Sequence, residues 1–212
     1  MKPSTINVPT HLKISQEQFE KIARANPDMR LERTTIGELI IMPPTGGSAG
    51  KYNVKLSSRF VIWNEQTELG EVFDSSTAFR LPNGADRSPD VAWIRQDRWD
   101  TLTTEEKEKF PPIAPDFVLE LMSPTDNLKD VQVKMREYMD NQVKLGWLFN
   151  PKTRRVEIYR LEQEVEVLQS PAQLFGEDIL LGFVLNMQLV WDYKMKRYDI
   201  RLTKYNCAIA IN

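Results

Sequence analysis

Residues 115–150 read PDFVLELMSPTDNLKDVQVKMREYMDNQVKLGWLFN. Phe117 to Met122 is an apolar run of strand length, and a helical pattern follows to about Asn141. Asp126 is placed to cap that helix, whose apolar side is Leu128, Val131, Met135, Tyr138 and Met139. KLGWLFN then gives a second strand, closed by Asn150-Pro151. A strand, a helix and a strand in this order form a parallel crossover, so the chain is expected to be a mixed α/β (α+β) domain. One residue does not fit an apolar strand. An ionised Glu120 buried there costs several kcal/mol unless a partner holds it.

Outward from this unit, Ser15 and Gln18 make a capping box for a helix to about Asn26. MRLERTTIGELIIMPP predicts an N-terminal β-hairpin turning at Gly37. TGGSAG is expected as a loop before a helix from Lys51 to Glu68. Short strands are expected near Val72-Phe73, over Thr77–Leu81 and over Asp90–Ile94, with a turn at Pro82-Asn83-Gly84. Thr103 and Glu106 cap a short charged helix. RRVEIYRL and EVEVLQ alternate as a C-terminal antiparallel hairpin, and EDILLGFVLNMQLVWDY is expected as further strand. The division is one domain over 1–192 and a tail, 193–212, without a clear period.

The chain has 212 residues, 41% of them hydrophobic, and a net charge of −2, which suits one globular domain rather than a basic nucleic-acid binder. Any nucleic-acid contact must use a local patch. Cys207 is the only cysteine and His11 the only histidine, which excludes thiolate zinc clusters and histidine triads. No apolar run reaches membrane-spanning length, and the polar N-terminus lacks a signal-peptide core, so a cytoplasmic protein is expected. The five tryptophans fall mostly in apolar runs and are expected in the core. TGGSAGKYN lacks the spacing of a phosphate-binding loop.

Two strands carry an isolated acid: Asp90 in SPDVAWI and, thirty residues on, Glu120 in VLELMS. Neighbouring strands would bring the two carboxylates together, which requires protonation of one or a shared cation. Oxygen ligands without histidine favour Mg²⁺ or Mn²⁺. The alternative is structural: Asp90 as a strand-start cap, and Glu120 paired with Arg80 or Arg87. Lys134 lies at about 240° on the helix wheel from Leu128, at the margin of the buried face. There it either reaches back to such a site or pairs with Asp130. Glu38, and Glu32 alternating with it, are further acids that fit exposed hairpin positions better.

SPDVAWI together with PDFVLELMSPTDNLKDVQVKMREYMDNQVKLGWLFNP resembles the restriction-endonuclease branch of the PD-(D/E)xK nuclease superfamily. The resemblance runs over roughly Leu12 to Val190. It implies a restriction-endonuclease-like core, a mixed β-sheet flanked by helices, and Mg²⁺-dependent hydrolysis of DNA phosphodiesters. It places Asp90 and Glu120, with the backbone carbonyl of Leu121, on the metal. Met122 stands where the wider superfamily has its lysine, and Lys134 from the next helix substitutes. Glu38 is the further acid. Many members carry a histidine at the start of the helix after the proline-rich loop, where this chain reads SAGKYN.

Three functions follow as expectations: a metal-dependent DNA endonuclease, a non-catalytic module of the same fold binding nucleic acid or a protein, and hydrolysis of a nucleotide or another small phosphoester. Duplex cleavage needs two active sites or two events, so a homodimer is expected from mechanism.

Overall fold

The crossover forms as its pattern predicts. In the structure, a computed structural model that describes residues 13–191 apart from 43 and 45, β7 (Phe117–Leu121) and β8 (Leu145–Asn150) are parallel neighbours. α5 (Leu128–Asp140) connects them. They are the centre of a six-stranded mixed sheet, in which β3 (Gly70–Asp74) and β6 (Val91–Arg95) lie on one side. β9 (Arg155–Arg160) and β10 (Glu166–Gln169) lie on the other, as the expected antiparallel hairpin. All pairings but β7–β8 are antiparallel.

A smaller sheet holds the N-terminal hairpin, β1 (Arg30–Arg33) and β2 (Leu39–Met42), beside β5 (Asp86–Arg87) and β4 (Phe79–Arg80). Gly37 turns this hairpin at φ +86°, a backbone region costly for residues with a Cβ. α1 (Gln16–Ala25) starts in the capping box of Ser15 and Gln18, and the short α4 (Thr104–Lys107) in that of Thr103 and Glu106.

The side-chain period of two divides the core. Phe117, Leu119 and Leu121 of β7 pack with Trp147 and Phe149 of β8 and with Leu56, Phe60 and Trp63 of α2 (Gly47–Thr67). Phe60 stacks on Phe117 at 5.1 Å and on Phe183 at 4.4 Å. Val118 and Met122 belong to the opposite cluster, with Leu148 and with Met135 and Tyr138 of α5. Glu120 shares their parity and so lies on the α5 face of the sheet. Trp63, Trp93 and Trp147 are buried as expected, and Trp99 and Trp191 are partly buried.

Several expectations are corrected. α2 begins at Gly47, four residues early, so four of the six residues of the expected glycine-rich loop are helical. Asn127, not Asp126, caps α5 through its bond from Lys129 N, because Asp126 is occupied by Ser123 N. The Thr77–Leu81 strand contracts to β4, while β5 and α3 (Gln96–Trp99) are elements the pattern does not reveal. Residues 177–191 are not continuous strand. They form turns around Gly182 (φ +73°), then β12 (Val184–Asn186), paired with β11 (Gln173–Phe175), and α6 (Gln188–Trp191). His11, Cys207 and the 193–212 tail lie outside the described residues.

Candidate active site

Asp90 stands one residue before β6, and β6 and β7 pair with Val91 opposite Leu119. The next step of that register sets Asp90 opposite Glu120. Asp90 Oδ2 accepts from Leu121 N at 2.8 Å, where the β6 ladder has ended, and Oδ1 accepts from Asn53 Nδ2 of α2 at 3.0 Å. Two adjacent strand ends and one helix thus fix the first carboxylate.

The partner of Glu120 is Lys134. Its Nζ lies 2.8 Å from Glu120 Oε1 and 2.8 Å from Glu32 Oε1. Tyr138, one turn further along α5, donates its hydroxyl to Glu120 Oε1 at 2.9 Å. Neither arginine considered from the sequence reaches Glu120. Arg80 bonds Asp86 and Glu20, and Arg87 bonds Glu32 and Glu137. Lys134 pairs across α5 with the two strand acids rather than along the helix with Asp130, because the margin position turns its stem toward the sheet.

Glu32 is delivered by the smaller sheet. β1 pairs with β5 at Arg33 and Asp86, so Glu32 comes opposite Arg87. Its carboxylate is 2% exposed and accepts from Arg87 (3.1 Å), Ser88 N (3.0 Å) and Lys134 (2.8 Å). Glu38 lies at the turn end of the hairpin, where it bridges Lys13 through the backbone and bonds Thr34. Of the two hairpin acids, the structure brings Glu32 to Lys134. The register decides this: Glu32 pairs with Ile40 within the ladder, and Glu38 lies beyond its last rung.

The carboxylates flanking Lys134 titrate in opposite directions. Burial raises the Glu120 pKa, and Asp90 and Glu32 add to it; Lys134 opposes but does not cancel them, and the result is about 7. Burial also acts on Glu32, but Lys134 and Arg87 outweigh it and hold the group below its usual range. Burial moves Asp90 up against the Leu121 N–H, Lys134, Arg30 and Asn53. Burial lowers the Lys134 pKa, but Glu120 and Glu32 outweigh it and hold the group above its usual range.

A cleft of about 490 Å³ opens on Asp90, Glu120, Leu121, Asn53, Arg30 and Ser88. The glycine-rich segment contributes Gly46, Gly47 and Ala49 to its wall. Asn53 Oδ1 is buried there without a hydrogen-bond partner. Among the described residues no three His, Cys, Asp or Glu side chains stand at metal-binding spacing. Mg²⁺ is commonly held by only one or two carboxylates, with waters and substrate phosphate completing its shell. Asp90, Glu120, the Leu121 carbonyl and the orphaned Asn53 oxygen are an all-oxygen set of that kind, so these residues fit a hard divalent cation.

Asp90, Glu120 and Lys134 are thus brought together as the sequence suggested, and Glu32 replaces Glu38 beside them. The sequence does not single out Tyr138 or Asn53 as site residues. Tyr138 counted as apolar surface, although its spacing of four from Lys134 puts both on one side of α5. Asn53 lies in the first turn of the helix expected from Lys51, with no pattern to single it out.

The family model "Putative restriction endonuclease" (Uma2) matches residues 16–188. The crystal structure of a "putative nuclease belonging to DUF820" from Anabaena variabilis superimposes with a TM-score of 0.65 at 20% identity. The match covers 76% of this chain and 89% of that one, and at this identity it shows the fold. No curated protein matches the chain. The mixed sheet with its α2 and α5 layers is therefore a restriction-endonuclease-like fold, and the chain belongs to the Uma2 family.

Proposed function

We propose that this protein is a divalent-metal-dependent endonuclease that hydrolyses phosphodiester bonds of DNA. The observation that carries this reading is that Asp90 and Glu120 line one open cleft, with Lys134 Nζ 2.8 Å from Glu120 Oε1. Membership of a nuclease-like family supports it.

Asp90, Glu120 and the Leu121 carbonyl would hold Mg²⁺ or Mn²⁺, with Asn53 steadying Asp90. When bound, such an ion lowers the pKa of a coordinated water and stabilises charge growing on phosphate oxygens. Lys134 remains protonated, so it acts as a donor and a fixed charge rather than as a base. From its place against Glu120 it can orient the attacking water and balance the negative charge gathered on the phosphoryl oxygens. Glu32, itself held by Arg87, positions Lys134. The role expected of Glu38 falls to Glu32 in this reading. In the reaction, water oxygen bonds to phosphorus, one P–O ester bond breaks, a water proton passes to a carboxylate or to solvent, and the leaving oxygen takes up a proton from solvent. A homodimer would supply two such sites for duplex cleavage.

A second reading, a non-catalytic module of the same fold, draws on one feature: Lys134 and Tyr138 already satisfy Glu120 Oε1 within the protein. Plasmid and single-stranded DNA incubated with Mg²⁺, with Mn²⁺ and with EDTA separate the two. Metal-dependent cleavage is expected, reduced at least about a hundredfold in Asp90→Asn, Glu120→Gln and Lys134→Met. Cleavage unchanged in all three variants refutes the site. DNA binding without cleavage under any metal favours the module.

A further inference from the structure

A second cavity of about 690 Å³ adjoins the carboxylate cleft. Leu121, Met122, Ser123, Pro124, Asp126 and Ala49 line both, so the segment between β7 and α5 is their common wall. The cavity sits at the C-terminal ends of the two parallel strands, closed on the far side by the Asn150–Thr153 turn and by α6. Crevices at the carboxyl ends of parallel strands are where open α/β sheets bind ligands.

The two cavities differ in chemistry. The first presents Asp90 and Glu120, which suit a phosphate only through a cation. The second brings Tyr52 from α2 and Trp191 from α6 to one space with Leu128 and Pro151, and has Lys152 and Asn150 among its polar lining. Trp191 is anchored by its indole Nε1, which donates to the Pro171 carbonyl at 2.9 Å. Aromatic faces with an apolar floor and a few hydrogen-bonding groups are what a nucleobase stacks on, and a nearby lysine suits its phosphate.

We propose that this cavity binds one unpaired nucleobase of the substrate strand, next to the phosphodiester held at Asp90 and Glu120. The inference rests on the nuclease reading and narrows its substrate. A base inside a duplex is stacked and paired, so it reaches a walled cavity only when the strand is single or the nucleotide is extruded. Single-stranded or locally opened DNA is therefore the preferred substrate.

The test uses the wild-type chain, which keeps both carboxylates, with Ca²⁺ in place of Mg²⁺ or Mn²⁺ and short oligonucleotides carrying 2-aminopurine, a base whose fluorescence falls on stacking. Quenching is expected with the single strand and not with the same sequence in a perfect duplex. Leucine at Tyr52 or Trp191 keeps apolar packing and removes the ring, and each change should weaken single-strand binding at least about fivefold. Tyr52→Phe should retain it. Equal affinity for single strand and duplex, or binding unchanged in both leucine variants with unaltered thermal melts, overturns the inference. Should either leucine variant melt early, the duplex comparison and Tyr52→Phe decide it. Wild-type cleavage assays stand apart: cleavage with no ring dependence leaves the nuclease reading intact and removes only the base site. Ring-dependent quenching without cleavage keeps the base site and removes the catalytic reading.

Discussion

Lys134 holds two buried carboxylates that respond oppositely to pH, and this can be measured residue by residue. The Glu120 pKa stands at about 7, above its ordinary 4.5, so the stability linked to its protonated form is full below the ordinary value and is lost as pH rises through about 7. Glu120→Gln is therefore expected to raise the melting temperature relative to wild type at pH 8, with a smaller gap at pH 5. Thermal melts across that range check it; a gap that is constant with pH contradicts the assignment. Mg²⁺ or Mn²⁺ should stabilise wild type at pH 8 and not the variant, because Glu120 is mostly ionised there and can ligate the ion, whereas glutamine brings no charge. Lys134→Ala leaves Glu32 and Glu120 buried without their shared cation and should cost about 3–5 kcal/mol in urea unfolding. Adding Glu120→Gln should recover part of this, and the non-additivity measures the coupling. Asp90 and Glu120 stand out in the sequence as isolated acids on apolar strands, whereas Lys134 enters through its place at the helix margin and through the family resemblance. Glu32 breaks no local pattern: an acid alternating in a hairpin looks solvated until a second sheet turns it inward.

At the scale of elements, strand edges and helix approaches depend on small residues. Gly70 opens β3 opposite Arg95, and a Cβ added there would lie 2.1 Å from the Ile94 carbonyl oxygen and 2.7 Å from the Trp93 ring. Backbone cannot yield as a flexible side chain can. Gly70→Ala should therefore destabilise by about 2–4 kcal/mol, seen as a lower urea midpoint with an unchanged slope. A Cβ added at Gly146 would lie 2.6 Å from the Met135 methyl, but that is the end of a flexible chain, so alanine there should cost less. Helix starts were legible because a capping box is written within four residues, as at Ser15–Gln18 and Thr103–Glu106. The start of α2 was not, since Gly46 provides no side-chain cap.

For the whole molecule, α2 must lie on the sheet for Asn53 to reach Asp90. Phe60 is fully buried between Phe117 and Phe183, so Phe60→Ala should cost about 3–5 kcal/mol and, in the surviving folded fraction, weaken metal binding. Calorimetric Mn²⁺ titration with a parallel melt separates the two effects. Local pattern by itself determined the crossover of β7, α5 and β8, the antiparallel hairpins, the side of α5 that meets the core and the two strand carboxylates. Those features follow from periods of 2 and 3.6 and from caps a few residues long. Only tertiary structure decided that Lys134 joins Glu120 to Glu32, which lie 88 residues apart in the chain, that Asn53 supports Asp90, and that residues 177–191 turn rather than extend. These outcomes depend on which strand lies beside which. Burial then makes a distant partner obligatory for each carboxylate, and no local period encodes that choice.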